Sequence, residues 1–125
     1  MQKRKVLIID DEVAFTNIVK LTLEMKDGYE VFVENDSRMA ISTARKCLPD
    51  IILMDVIMPE PDGIEVEAQI KDDPNLKHIP IIFLTAVVRK KDINEFHGLI
   101  GGQFFIAKPI SADDLIQAIE EHIRS

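Results

Sequence analysis

Short runs of apolar residues alternate with segments of helical periodicity along this chain. The most apolar runs cover residues 6–9, 51–54, 81–84 and 104–107, and in a fifth run, residues 29–33, apolar and polar residues partly alternate. Runs of four or five apolar residues have the length of a strand rather than of a helix. We therefore predict five strands, and the second, with its partial alternation, is expected at an edge of the sheet.

The segments between these runs carry apolar residues at helical spacing. In the first segment they are Val13-Ala14, Ile18, Leu21 and Met25, and a stripe of this kind ordinarily packs on the core. Corresponding stripes are Ala40, Ile41, Ala44 and Cys47 in the second segment, Val66 and Ile70 in the third, and Leu115, Ala118-Ile119 and Ile123 in the last. A weaker helical pattern extends from Val88 to Ile100.

Strands that alternate with helices indicate βαβ units and a parallel sheet. The length of 125 residues fits one domain. We therefore predict an α/β fold, a single (βα)5 domain over residues 1–125 with helices on both faces of a doubly wound, five-stranded parallel sheet. The flavodoxin-like strand order 2-1-3-4-5 fits best, because it places the second strand at an edge.

Polar side chains follow four of the predicted strands at the point where each strand ends. Asp10-Asp11 follow the first, Asp55 the third, Thr85 the fourth and Lys108 the fifth. In an open parallel sheet these ends line one crevice, where ligands bind. Clustered carboxylates repel one another unless a cation lies among them. The pattern therefore predicts a hard divalent metal ion and an anion held by Lys108.

Composition and charge exclude several other classes of protein. The chain is 46% apolar and 30% charged, which is ordinary for a globular domain, and its net charge of −7 argues against direct binding to nucleic acid. The longest apolar run is too short to cross a bilayer, and the basic first residues precede a run that stops at Asp10, unlike a secretory signal. A single cysteine, Cys47, cannot form an internal disulfide, which fits a reducing cytoplasm, and we therefore expect a cytoplasmic protein. The short apolar runs predict no contact with a membrane.

The polar residues at the strand ends resemble those of a response regulator receiver domain, the chemotaxis-regulator-like, phospho-accepting module of two-component signalling. The resemblance covers the whole chain. It rests on Asp10-Asp11, Asp55, the loop Met58-Pro59-x-x-Asp62-Gly63, Thr85-Ala86 and Lys108-Pro109, which occur in the family's order and spacing.

This resemblance implies a role for each residue of the set. Asp55 would accept the phosphoryl group, and Mg²⁺ would be held by Asp10, Asp11, Asp55 and the backbone carbonyl of Ile57. Thr85 and the amide of Ala86 would bind phosphoryl oxygens, and Lys108 would pair with the phosphoryl group. Phe105 would act with Thr85 as the switch aromatic, and the Lys108–Pro109 peptide bond would be cis.

The resemblance also implies partners and a mode of action. The phosphoryl group would come from a sensor histidine kinase or a phosphotransfer protein. The face formed by the last strand and the last two helices would then change to control an output protein that the sequence does not identify. The domain would not be an enzyme, and the only reactions it would itself perform are self-phosphorylation and slow self-dephosphorylation. We expect a monomer or weak dimer, because many receivers carry an acidic pair used in dimerisation after Gly-Ala, whereas here Gln103-Phe104 follow Gly101-Gly102.

We expect a single-domain regulator, and three alternatives to it remain open. The chain could be a receiver domain of a larger multidomain regulator. A haloacid-dehalogenase-like phosphatase would need an Asp-x-Asp motif after the first strand, whereas here the sequence is Asp10-Asp11-Glu12. A flavodoxin-like FMN carrier would need a phosphate loop rich in hydroxyl groups and glycine at the same place, where Asp10 and Asp11 would repel a phosphate instead.

Overall fold

Six strands form one sheet in the computed structural model, which describes residues 3–85, 99–100, 103–108 and 111–124. The strands are β1 (Arg4–Ile9), β2 (Tyr29–Glu34), β3 (Ile51–Asp55), β4 (Ile81–Thr85), β5 (Leu99–Ile100) and β6 (Gln103–Ala107). Their order in the sheet is β2-β1-β3-β4-β6-β5. All neighbours are parallel except β5, which pairs antiparallel with β6. The five parallel strands thus confirm the predicted order 2-1-3-4-5.

The described helices are α1 (Val13–Glu24), α2 (Ala40–Cys47), α3 (Gly63–Asp72) and α4 (Ala112–Arg124), and a 3-10 turn (Ser37–Met39) leads into α2. Buried residues of α1 and α4 pack with Val6, Ile8, Ile51 and Leu53 on one face of the sheet. Buried residues of α2 and α3 pack with Leu7, Ile9, Ile52 and Met54 on the other. Strands β1 and β3 are therefore buried on both faces, which explains their unbroken apolar sequences. Within the part of the chain described here, none of these helices combines the length and the apolar character needed to span a membrane.

The weak helical pattern predicted from Val88 to Ile100 meets the described structure only at its end. Residues 86–98 lie outside the described part of the chain. Leu99–Ile100 form β5, so the helical prediction is wrong for these two residues. Their backbone pairs with Phe104 and Gln103 of β6, and pairing with a neighbouring strand overrides a weak local helical preference.

The apolar stripe of α1 faces away from the core, contrary to the usual behaviour of such a stripe. Val13, Ile18, Leu21 and Met25 expose 55%, 63%, 67% and 85% of their surface. The buried side is formed by Thr16, Val19 and Leu23. This helix carries apolar residues on two sides, and periodicity alone does not tell which side meets the sheet.

The loop between β3 and α3 is closed by a tight contact at Gly63. A side chain at this position would overlap the backbone oxygen of Asp55, and the Gly63 amide donates a hydrogen bond to the carbonyl of Val56 (3.0 Å). A capping box then starts α3, because the Glu65 amide donates to the carboxylate of Asp62 and the Asp62 amide donates to the carboxylate of Glu65. Helix α3 is thereby anchored directly to the end of β3.

Two side chains of α1 occupy the outer edge of β2. The carboxylate of Glu24 accepts a hydrogen bond from the Val31 amide (3.0 Å), and the ammonium of Lys20 donates to the Val31 carbonyl (2.7 Å). Lys20 and Glu24 also pair with each other at 3.1 Å. The backbone groups of Val31 are thus satisfied by the neighbouring helix.

Candidate functional site

Three carboxylates meet at the carboxyl ends of β1 and β3. Asp10 follows β1 and Asp55 is the last residue of β3, and both are buried, whereas Asp11 is exposed. One carboxylate oxygen from each of the three residues lies within 4.8 Å of the other two. The strands β1 and β3 are direct neighbours in the sheet, so their carboxyl ends bring these side chains together as the sequence predicted.

The ammonium of Lys108, just after β6, reaches across to this cluster. Its nitrogen lies 2.7 Å from Asp10 Oδ2, 2.9 Å from Glu12 Oε1 and 3.4 Å from Asp55 Oδ2. The Lys108 side chain is only 9% exposed. A buried cation therefore bridges the first, third and last parallel strands at one end of the sheet.

Burial and neighbouring charge set the ionisation of this site. Desolvation, followed by the negative charge of Asp10, raises the pKa of Asp55 above its ordinary value, against the opposing effects of Lys108 and of the Ile57 amide. Burial alone would lower the pKa of Lys108, but its hydrogen bonds to Asp10 and Glu12 and the charges of Asp10 and Asp55 raise it. The ionised form of Asp55 is therefore disfavoured by burial and by Asp10, while Lys108 stays protonated.

Neighbouring loops orient the acidic residues. The Glu12 amide donates to Asp10 Oδ1 (2.9 Å), and the side-chain amide of Asn35 donates to the Asp10 carbonyl (2.8 Å). The Ser37 hydroxyl donates to the Pro59 carbonyl (3.0 Å) and so joins the loops that follow β2 and β3. A cleft of about 380 Å³ opens beside Asp11 between these loops. Asp10 is thus held by hydrogen bonds from Glu12 and Asn35, and the cluster is accessible from the side of Asp11.

The other residues predicted for the site are placed as follows. The Ile57 amide donates to Asp55 Oδ1 (3.3 Å), and its side chain is exposed. Thr85 ends β4 beside Ala107 of β6, but its side chain lies outside the described part of the structure. Ala86 and Pro109 also lie outside the described residues. The Lys108–Pro109 peptide bond, predicted to be cis, therefore lies outside them as well.

Phe105, the predicted switch aromatic, lies inside the protein. It is 7% exposed and stacks on Phe83 of β4, with ring centroids 5.2 Å apart and an interplanar angle of 24°. The two residues are register partners on adjacent strands, so their side chains share one face of the sheet.

Three residues that contact the site were not predicted from the sequence. Glu12, just before α1, and Phe15, on its first turn, both approach the Lys108 ammonium, and Asn35 supports the backbone of Asp10. A signal for Glu12 was present, because it directly follows the acidic pair. For Phe15 and Asn35 no comparable signal is present in the sequence, since their contacts depend on how α1 and the loop after β2 lie against the site.

The donors at this site suit a hard cation. Three carboxylates within 4.8 Å of one another could hold a metal ion, and oxygen ligands of this kind are those preferred by Mg²⁺ and Ca²⁺. Asp11 is exposed beside the open cleft, so an ion can reach the cluster and retain water molecules. The adjacent ammonium of Lys108 adds a fixed positive charge for an anion.

The chain is similar in sequence to known proteins over nearly its whole length. A family model described as the response regulator receiver domain matches residues 6–120. The polar-differentiation response regulator DivK of Brucella anthropi is 35% identical over 121 residues, which cover 96% of this chain and 96% of that protein. The response regulator PleD of Caulobacter vibrioides is 40% identical over 115 residues, which cover 90% of this chain and 24% of PleD.

Solved structures show the same fold. The chemotaxis protein CheY4 of Vibrio cholerae superposes with a TM-score of 0.80 at 29% identity, over 96% of this chain and 98% of that one. A putative response regulator from Chloroflexus aurantiacus gives a TM-score of 0.83 at 27% identity, over 99% of this chain and all of the other. The family model covers nearly all of the sheet, and the DivK match extends almost from end to end, so the chain belongs to the response regulator receiver domain family of two-component signalling.

Proposed function

We propose that Asp55 accepts a phosphoryl group from a sensor histidine kinase or a phosphotransfer protein. The observation that carries this proposal is the surroundings of Asp55 at the end of a central strand. The residue is 6% exposed, with the Lys108 ammonium 3.4 Å from one of its oxygens and two further carboxylates beside it. A carboxylate nucleophile next to a fixed positive charge is what in-line phosphoryl transfer requires, because the reaction depends mainly on positioning and charge neutralisation.

Asp10, Asp11 and Asp55, together with the backbone carbonyl of Ile57, are the proposed ligands of Mg²⁺. When bound, the ion would neutralise negative charge on the carboxylates and on phosphoryl oxygens. The oxygen donors and the open side at Asp11 fit an ion that keeps several of its waters. Beside the ion, Lys108 would pair with a phosphoryl oxygen, and Thr85 and the amide of Ala86 would bind the others.

Mass spectrometry tests the acceptor directly. The protein is incubated with acetyl phosphate and Mg²⁺, and peptide mapping locates the added phosphoryl group; we expect one group, on Asp55, and none in Asp55→Asn. Asp50→Asn is the matched control, since its carboxylate accepts a hydrogen bond from the Lys5 amide, away from the site. A phosphoryl group on any other residue, or one that persists in Asp55→Asn, would refute the proposal.

The exposed stripe of α1 is the proposed contact surface for the phosphoryl donor protein. Val13, Ile18 and Leu21 are more than half exposed, although apolar. The helix begins immediately after Asp11 and Glu12, so the stripe starts at the rim of the acid cluster. A donor protein must approach this rim to reach Asp55, and apolar surface beside the reacting group would stabilise that complex.

Phosphorylation by a kinase and phosphorylation by acetyl phosphate together distinguish a defect in donor binding from a defect in phosphoryl transfer. The donor protein used is the histidine kinase of the source organism that phosphorylates the parent protein fastest. We expect Ile18→Ser and Leu21→Ser to slow transfer from this kinase at least fivefold and to leave phosphorylation by acetyl phosphate unchanged. Leu48→Ser changes an equally exposed apolar residue outside α1 and should affect neither reaction. Equal rates of kinase transfer in the parent and both α1 variants would exclude the stripe as the contact surface.

For the output step, we propose that phosphorylation changes the region from Thr85 to Pro109 and the face it forms with the last helix. A phosphoryl group would draw Lys108 and Thr85 toward it, and Phe105 on β6, the strand that ends just before Lys108, would report this shift through its contact with Phe83. Amide chemical shifts with and without beryllofluoride and Mg²⁺ test this step. Changes confined to the residues that contact Asp55 would contradict the proposed switch.

A further inference from the structure

The ring of Phe15 faces the charged end of Lys108. The ammonium nitrogen lies 4.2 Å from the centroid of the Phe15 ring, which is a cation–π contact. Phe15 is on the first turn of α1, and its side chain is partly buried against the core shared by α1 and α4. The ring therefore has a packing contact with the core in addition to its contact with the lysine.

Three carboxylates already accept the hydrogen atoms of the same ammonium group. Lys108 has three N–H donors, and oxygens of Asp10, Glu12 and Asp55 lie within 3.4 Å of its nitrogen. Phe15 covers a further side of the nitrogen without accepting a conventional hydrogen bond. The ammonium is held by three oxygens and one aromatic face, which accounts for its low exposure of 9%.

From this geometry we infer that Phe15 is a positioning residue for phosphoryl transfer and acts through Lys108. This inference rests on the proposed role of Asp55. A phosphoryl group on Asp55 brings new oxygens that need an N–H donor, so Lys108 must give up one of its present partners. The carboxylate of Glu12, whose side chain is 62% exposed, returns to water most easily. Phe15 competes for no hydrogen atom and can attract the ammonium before and after this exchange.

The aromatic face thus keeps Lys108 over the site while its hydrogen-bond partners change. A leucine at position 15 fills similar apolar space but has no negative ring face. Without the ring, the ammonium would be free to follow Glu12 toward water. The anion that mimics the phosphoryl group should then bind more weakly, while the carboxylates that would hold Mg²⁺ are unaltered.

Calorimetric titration of the full chain separates these two effects. Beryllofluoride is titrated at saturating Mg²⁺, and Mg²⁺ is titrated alone, into the parent, Phe15→Leu and Phe15→Tyr. We expect Phe15→Leu to weaken beryllofluoride binding about five- to tenfold, the scale of a partly desolvated cation–π contact. Its Mg²⁺ affinity should stay within twofold of the parent. Phe15→Tyr, which keeps an aromatic ring, should bind beryllofluoride as tightly as the parent. Phe32→Leu makes the same change at a partly buried ring on the other face of the sheet and should alter neither affinity.

Each contrary result has a distinct meaning. Unchanged beryllofluoride binding in Phe15→Leu, even with a lower Tm, would overturn the inference and leave Phe15 as a packing residue. Parallel losses for both ligands, or an equal loss in Phe15→Tyr, would also overturn it, because the aromatic face would not be the cause. If the parent itself does not bind beryllofluoride at Asp55, the proposed function fails, and this inference fails with it.

Discussion

Two aspartates with nearly the same exposure differ in how the protein treats their charge. Asp55 is 6% exposed and Asp73 is 7% exposed. The pKa of Asp55 is raised, chiefly by desolvation and by the charge of Asp10, whereas the pKa of Asp73 is lowered. Exposure of the residue alone therefore does not decide the cost of its charge.

The partners of Asp73 explain its lowered pKa. The Asn75 amide donates to one carboxylate oxygen and Arg45 Nε donates to the other, each at 2.8 Å. Asp73 also lines an open surface cleft at the end of α3, where water is close, whereas Asp55 ends a central strand. Asp73 is a structural carboxylate that ties α2 to the turn after α3. Asp55 is buried beside Asp10, whose charge opposes its own, and this environment fits its proposed role as the phosphoryl acceptor.

The largest difference between Asp73 and the carboxylate cluster of Asp10, Asp11 and Asp55 should appear on addition of Mg²⁺. An ion that binds only the folded protein stabilises it by about 2.7 kcal/mol at a concentration one hundred times its Kd. We expect this rise in thermal stability in the parent and in Asp73→Asn, and its loss in Asp11→Ala. Thermal unfolding with and without Mg²⁺ measures the effect. An undiminished rise in Asp11→Ala would remove Asp11 from the proposed ligands.

Removal of the charge at Asp73 should destabilise the metal-free protein. Asp73→Asn weakens the contact with Arg45 and the hydrogen bond from the Asn75 amide, so we expect Tm to fall by a few degrees. Arg45→Met removes one partner and leaves the backbone hydrogen bond, and its Tm should fall less. A Tm of Asp73→Asn equal to that of the parent would show that the pair does not hold α2 to the turn.

Removal of the charge at Asp55 should have the opposite effect. In metal-free protein, Asp55→Asn relieves the repulsion from Asp10 and the desolvation of a carboxylate. We expect it to raise the free energy of unfolding by an amount on the order of 1 kcal/mol, the usual scale of a single substitution. Denaturant unfolding at neutral pH, with chelator present, is the measurement. A less stable Asp55→Asn protein would mean that its contact with Lys108 outweighs the repulsion.

Acid titration sharpens the comparison, although its effects are smaller. The lowered pKa of Asp73 contributes stability above its ordinary pKa of 3.8, and that stability is lost as pH falls through the folded-state value. The raised pKa of Asp55 has the reverse sign, since its destabilisation is absent below 3.8 and develops as pH rises through the folded-state value. The difference between the parent and Asp73→Asn should therefore shrink only below about pH 4. The advantage of Asp55→Asn should grow above that pH. Matching pH profiles for the two variants would contradict the assigned directions.

The sequence predicted the sheet and much of the site because both follow from local patterns. Apolar runs in β1 and β3 are long enough to identify buried strands, and a residue at the end of a parallel strand must lie at one edge of the sheet. That reasoning placed Asp10, Asp55 and Lys108 together without knowledge of any helix. It did not depend on the packing direction of side chains elsewhere.

Features that depend on helix orientation could not be predicted in the same way. The stripe through Ile18 and Leu21 has the spacing of a core-facing side, yet Val19 and Leu23 meet the sheet instead. The same rotation of α1 decides that Phe15 faces Lys108, so the exposure of the stripe and the ring contact have one cause. The pairing of Leu99–Ile100 was missed because two residues are too few to give a periodic signal.

The edge of β2 has a consequence for how molecules of this protein behave together at high concentration. An edge strand with unpaired backbone groups is a template on which another polypeptide can add as a further strand, and this is a route to aggregation. Here Glu24 and Lys20 from α1 already occupy the amide and carbonyl of Val31 in the middle of that strand. An incoming chain would have to displace a charged pair before it could extend the sheet. The helix that presents an apolar stripe to solvent on one side thus protects the middle of this edge strand with its polar residues.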